Sequence, residues 1–155
     1  MNRFLLFSAF LITGSLLHAE IGATPEQCMT RYGRPERNGM KESGLLYFRK
    51  EPLCFIAHFY QGRCDVLSIF SSKEMMGVHE ELGEDRLSSL LKIEGSQGGV
   101  LDWIPVARIS MNGVWNASDN SSFAIYDTMR HKLVIMTRGA YGREKEALSA
   151  ARGAR

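Results

Sequence analysis

Three cysteines and one histidine have the residue types and the spacing from which chemistry could arise. They are Cys28, Cys54, His58 and Cys64, and the last three read Cys-x3-His-x5-Cys, which resembles a cluster of zinc ligands. Cys54 and His58 fall in one strand-like segment, however, where four residues span about 13 Å. Because each zinc ligand lies within about 2.3 Å of the ion, the spacing argues against a metal site. His58 is predicted to be a half-buried strand residue with a hydrogen-bond partner.

The odd number of cysteines leaves the pairing open. In an oxidising compartment two of the three are expected to pair. Cys28 with Cys64 is favoured, because Cys28 lies on a short predicted helix that needs a tether and Cys64 begins a strand expected beneath it. That bond would close a loop of 37 residues and constrain the unfolded chain by roughly 4 kcal/mol in the entropic model. Pairing of Cys54 with Cys64 is less favoured, since a two-residue turn places Phe59 opposite Cys64. A chain without a disulfide is the third alternative.

Local catalytic motifs are missing from the sequence. It contains neither a Gly-x-Ser-x-Gly elbow nor a His-Glu-x-x-His zinc motif. His58, His79 and His131 and several carboxylates leave a dispersed site open, although any chain of this length offers such residues by chance. The sequence therefore predicts no catalytic, cofactor-binding or metal-binding residues.

The first nineteen residues have the pattern of a secretory signal peptide. Arg3 provides a basic start, residues 4–17 are apolar, and Ala19 fits the last position before cleavage. The apolar run is shorter than the roughly 20 residues that span a bilayer. We therefore expect cleavage near Glu20, no integral membrane anchor afterwards, and a periplasmic or extracellular location.

Charge and length restrict the kinds of protein that the remaining chain can form. Removal of residues 1–19 leaves 136 residues, enough for one domain with a core. The 155-residue chain carries 19 Lys and Arg against 17 Asp and Glu, which is no electrostatic footprint for nucleic acid. A basic bias appears only in residues 138–155, which are expected to be weakly helical or flexible.

Hydrophobic patterning and turn residues divide the domain into two similar halves, 24–71 and 84–137. In the first, Thr24 caps a helix over residues 25–32, Gly33 ends it, and three strands follow at 45–50, 53–60 and 64–71. In the second, a helix over residues 84–93 precedes three strands at 114–117, 123–127 and 132–137. Residues 102–105 are interpreted as an extended linker with a buried anchor.

The order helix, strand, strand, strand in each half predicts the fold class. Short turns cannot make parallel crossovers, so each half should form an antiparallel meander. We expect one α+β domain at 20–137 with two layers: a sheet of about six strands and helices on one face.

Aromatic residues supply most of the large apolar area in these strands. Aromatic side chains on a sheet usually build its core, but some could lie on the uncovered face and anchor a protein partner. The candidates for such anchors are Tyr47, Tyr60, Trp115 and Tyr126.

The segment from Thr24-Pro25 to Gly33-Arg34-Pro35 resembles the helix opening of the SmpA/OmlA-type outer-membrane assembly lipoproteins. Those begin with a capped helix, stop at Gly-x-Pro and continue into a three-stranded antiparallel sheet. The tandem helix-plus-meander order is also similar to the β-lactamase inhibitor protein architecture. This chain departs from the lipoprotein pattern because no cysteine follows its apolar run. The resemblance implies a fold used to bind proteins.

Together these features predict an exported, non-enzymatic module that binds a protein or cell-envelope partner through a sheet face. A secreted hydrolase with a dispersed active site is the alternative. A stress-related structural protein that needs only its compact fold is a third.

Overall fold

The computed structural model describes residues 21–36, 44–94, 102–109 and 112–153. The predicted signal segment 1–19 lies outside these ranges. Three helices and nine strands are described: α1 (Pro25–Tyr32), β1 (Leu45–Lys50), β2 (Leu53–Tyr60), β3 (Arg63–Ser71), β4 (Glu74–Met75), β5 (Val78–His79), α2 (Glu84–Glu94), β6 (Trp103–Ile109), β7 (Asn112–Ala117), β8 (Ser122–Asp127), β9 (Lys132–Thr137) and α3 (Arg138–Gly153).

Seven of the strands form one antiparallel sheet in the order β1-β2-β3-β9-β8-β7-β6. The predicted α+β class is thus confirmed. Two meanders, β1-β2-β3 and β6-β7-β8-β9, join where β3 pairs with β9. The short strands β4 and β5 form a separate hairpin.

The sheet has a seventh strand, β6, where the sequence indicates a linker. Its ladder with β7 is irregular between Pro105 and Ala107, and this irregularity interrupts the alternation that normally identifies a strand. Proline lacks the N–H that a central strand needs, so it is tolerated at a sheet edge such as β6.

Local sequence signals account for α1. The Thr24 hydroxyl accepts a hydrogen bond from the Gln27 backbone N–H at 3.3 Å, and the Gln27 side chain accepts one from the Thr24 N–H at 2.8 Å. This is the capping box that the sequence predicts. Gly33 ends the helix with φ of 93°, a conformation that favours glycine.

One face of the sheet, the core face, packs against α1 and α2. Its side chains alternate along the strands and include Phe48, Phe55, Leu67, Ile69, Leu133 and Ile135. Cys28 and Tyr32 of α1 and the three leucines of α2 complete this core. Tyr32 stacks on Phe55 with 4.3 Å between ring centroids. The two predicted helices therefore share one face, as expected.

The helix α3 lies on the opposite side of the sheet, the outer face. Ala140 packs in a small cluster with Phe123 and Met136, whose sequence neighbours Ala124 and Ile135 point into the core. Tyr141 meets the Phe123 ring edge-on at 5.2 Å. Residues 138–153 thus add a helix on the outer face. None of the described helices is long and apolar enough to cross a bilayer.

Candidate functional site

The outer face carries a row of side chains that crosses the sheet at one level. Strand register places these residues opposite one another from β1 to β7. All of them are half-buried, and all except one serine have apolar or aromatic side chains. In spatial order they are Tyr47, Ile56, Ser68, Val134, Ile125 and Val114; we call this set the middle row.

Two elements project from the outer face of the sheet, one on each side of the middle row. On one side α3 covers the neighbouring row, in which Met136 and Phe123 pack against Ala140. On the other side the β4–β5 hairpin approaches the sheet, where the Phe70 and His79 rings lie 4.3 Å apart. We call the half-buried strip that the middle row forms between α3 and the β4–β5 hairpin the groove.

The width of this groove follows from strand geometry. The covered rows are four residues apart along β9, as are Met136 and Lys132, which corresponds to about 13 Å. The helix α3 itself extends about 5 Å from its axis. At most roughly 8 Å then remains, before the hairpin's own width is taken into account, and this is less than the 10–12 Å diameter of a second α-helix. A second helix is thus too wide for this space, and an extended segment is the narrower alternative.

A buried carboxylate holds α3 over the outer face. Asp65 lies where the register between β2 and β3 shifts, and its side chain is only 8% exposed. One carboxylate oxygen accepts a hydrogen bond from Nδ1 of His58 at 2.7 Å, and the other forms an ion pair with Arg143 of α3. The Arg143 guanidinium also lies 3.7 Å from the centre of the Tyr60 ring. Asp65 thus connects the first meander to α3.

The His58–Asp65 contact has the geometry of the general-base half of a catalytic triad. In the described part of the chain, no hydroxyl or thiol is hydrogen-bonded to the second ring nitrogen of His58. The adjoining depression, of about 410 Å³, is lined by Tyr60, Asp65 and Arg143 among others. Arg143 of α3 occupies the second carboxylate oxygen of Asp65. The His58–Asp65–Arg143 contacts are therefore best explained as an anchor that holds α3 on the sheet.

The three cysteines are free thiols in the structure, and all are buried. The expected Cys28–Cys64 pairing stays a prediction. The Cys64 thiol donates a hydrogen bond to the Val66 carbonyl at 3.5 Å, and the neighbouring Cys28 side chain, together with burial, raises the pKa of the Cys64 thiol well above its usual value. Cys54 accepts a hydrogen bond from the Tyr47 hydroxyl at 3.1 Å and lies on the outer face of β2. The described residues contain no cluster of three potential metal ligands.

The four predicted anchor aromatics separate into two pairs. Tyr47 and Tyr60 lie on the outer face, Tyr47 in the middle row and Tyr60 beneath Arg143. Trp115 packs against the core and folds over Gly113. Tyr126 is 4% exposed, and its hydroxyl accepts a hydrogen bond from the Leu82 N–H. Tyr126 is therefore a core residue and not an exposed anchor, whereas Trp115 is half-buried on the core face.

The rest of the middle row and the Asp65–Arg143 anchor were not identified from the sequence. Aspartate is depleted in strands, so Asp65 within an otherwise apolar strand was a usable signal. The middle-row aliphatics gave no such signal, because their type alone does not distinguish the two faces of a sheet.

Comparisons with known proteins add little to this picture. The chain matches no protein-family model and no curated protein sequence. A solved structure with some similarity is that of a cysteine-rich secretory protein from Staphylococcus aureus, with a TM-score of 0.39 and 9% sequence identity. The match covers 77% of this chain and 45% of that one, so this chain spans less than half of its length. The resemblance to the SmpA/OmlA and β-lactamase inhibitor protein architectures stays a prediction.

Proposed function

We propose that this protein is an exported binding module whose outer-face groove receives an extended, largely apolar segment of a protein partner. The observation that carries the proposal is the middle row: six half-buried side chains in register between α3 and the β4–β5 hairpin. The recessed position of the row favours a protein segment over a lipid surface, because apolar side chains that enter a bilayer must protrude. The partner is thus a protein or a protein component of the cell envelope.

Export is part of this proposal. It is supported by the signal pattern in residues 1–19 and by the position of Ile21, which is 2% exposed in the core. Cleavage after Ala19 would leave Ile21 in the chain and so preserve its buried contacts. Intact mass of the protein recovered from the culture medium or the periplasm tests this point. A chain beginning at Glu20 is expected, and a full-length chain with Met1 in the cytosol would contradict export.

The groove is tested with a pair of matched serine substitutions. Ser68→Arg places a long charged side chain in the middle row, whereas Ser88→Arg places it on an exposed position of α2. Random peptides displayed on phage are selected on the unmodified protein, and individual peptides are then measured against both variants. We expect peptides with alternating apolar residues that bind the Ser88→Arg variant normally and the Ser68→Arg variant at least tenfold more weakly.

Two results would contradict the groove. One is a set of selected peptides that bind both variants equally. The other is selection of peptides with helical spacing of apolar residues, which need more room than the groove offers. Thermal unfolding of the Ser68→Arg variant must stay close to that of Ser88→Arg, since a general loss of folding would also weaken binding.

A further inference from the structure

Cys28 and Cys64 meet at the junction between α1 and the start of β3. Each residue is 1% exposed, and both belong to the same buried core cluster. The backbone reinforces this contact: Gly22 N–H donates to the Cys64 carbonyl at 2.7 Å, and Cys64 N–H donates to the Ala23 carbonyl at 2.8 Å. The segment that leads into α1 is therefore fixed to the residue that carries the second thiol.

We propose that Cys28 and Cys64 are the site of a single structural disulfide, formed while the chain folds in an oxidising compartment. The inference rests on the export proposed above but is independent of the binding groove. The oxidant is a disulfide, either a small molecule or a thiol oxidoreductase. One cysteine thiolate attacks it, forming a mixed disulfide and releasing the first donor thiol. The second cysteine then displaces the second donor thiol, so two electrons pass to the donor as the Cys28–Cys64 bond forms.

Accessibility determines when this reaction can occur. In the folded protein both sulfur atoms are buried, so a disulfide donor cannot reach them. The raised pKa of the Cys64 thiol further lowers the concentration of its reactive thiolate. Oxidation must therefore precede the packing of α1 on β3. Once formed, the bond is shielded from reductants, which is the behaviour of a structural disulfide and not of a reversible switch.

Sheet geometry excludes Cys54 from the bond. Cys54 pairs with Phe70 at one end of the β2–β3 ladder, whereas Cys64 pairs with Phe59 near the other. The two cysteines are thus separated by about 17 Å along the strands, and their side chains lie on opposite faces of the sheet. The helix α1 covers the core face, so Cys28 is on the same side as Cys64 and on the opposite side from Cys54. The alternative pairing that the sequence left open requires a different fold.

The test compares two routes to oxidation of the same purified protein. In the first, reduced and denatured protein refolds in a buffer of reduced and oxidised glutathione. In the second, the reduced protein is folded before oxidised glutathione is added. Free thiols are alkylated under denaturing conditions, and peptide mass spectrometry locates any bond. We expect a Cys28–Cys64 bond and an alkylated Cys54 by the first route, with bond formation at least tenfold slower by the second.

Single substitutions provide the controls. Cys54→Ser should still form the bond, whereas Cys28→Ser and Cys64→Ser should not. Because the assignment is also made on the unmodified chain, a variant that fails to fold does not remove the test. Three alkylated cysteines after oxidative refolding, or a bond that includes Cys54, would overturn the proposal. Equal rates of bond formation by the two routes would show that oxidation need not precede the packing of α1 on β3. Since no partner is present, none of these results depends on the binding groove.

Discussion

Arg143 on α3 forms an ion pair with Asp65 on β3, a residue 78 positions earlier in the chain. The carboxylate is almost fully buried, whereas the arginine side chain is 37% exposed. This pair joins α3 to the beginning of β3 and helps to set one wall of the outer-face groove. Because it is a buried ion pair between two elements that are distant in sequence, its removal has a clear expected effect.

Asp65→Asn should destabilise the protein by about 1–3 kcal/mol, since the amide cannot neutralise Arg143 and pairs less strongly with His58. The effect is limited because Arg143 can be hydrated in the variant. Urea denaturation measures the change, with Glu146→Gln on the exposed surface of α3 as the control. If both variants unfold at the same urea concentration, Asp65 does not anchor the helix.

Tyr126→Phe tests the assignment of this residue to the core. The Leu82 N–H donates to the Tyr126 hydroxyl at 3.1 Å in a buried position. Removing the hydroxyl leaves that N–H unsatisfied, which should cost about 1–3 kcal/mol of stability. Tyr141, 47% exposed on α3, provides the matched control Tyr141→Phe, for which we expect little change. Equal unfolding midpoints for the two variants would show that the buried hydrogen bond is unimportant.

Gly113→Ala should also be destabilising, for a steric reason. A Cβ atom at position 113 would lie 2.4 Å from Cη2 of Trp115, so the indole ring must move. Overpacking of this kind typically costs about 1–3 kcal/mol. In α3, a Cβ at Gly142 meets no atom within 4 Å, and Gly142→Ala should instead stabilise by about 0.5–1 kcal/mol. Thermal unfolding followed by circular dichroism compares the two, and shifts in the same direction would contradict this interpretation.

Asp127 should contribute to the loss of stability in acid. Burial opposes ionisation of Asp127, but hydrogen bonds from the Arg130 side chain and from the backbone N–H groups of Arg130 and Met129 outweigh it, so the pKa of this carboxyl lies below its ordinary value. A lowered pKa in the folded state gives stability that is complete at neutral pH and is lost as the pH falls through roughly 4 and below. The stabilisation is therefore present at pH 7 and declines as the pH falls below the ordinary pKa of an aspartate.

Asp127→Asn removes this titration, so its unfolding midpoint should fall less between pH 7 and pH 2 than that of the unmodified protein. Arg130→Ala removes one of the contributing hydrogen bonds and should give an intermediate result. The measurement is thermal unfolding across this pH range at constant ionic strength. Parallel curves for all three proteins would show that Asp127 does not contribute.

Local features of the fold could be predicted because their causes lie within a few residues. Thr24 and Gln27 are three positions apart, and they determine where α1 begins. The strands β1 and β2 were predicted with the bounds that the structure gives, because alternation and the flanking turn residues are local signals. Pro105 hid the edge strand β6, since it breaks the alternation at a bulge.

The sequence by itself therefore determined the α+β class, the capped first helix and the first three-stranded meander, but not the fourth strand of the second meander, β6. Only the tertiary structure decided that β3 pairs with β9, that α3 crosses the outer face, and that Asp65 meets Arg143. Strand alternation states which residues share a face but not which face a distant helix will cover. Which face a helix covers depends on contacts between side chains of different elements. For α3, the packing of Ala140 on Phe123 and Met136 decides its position.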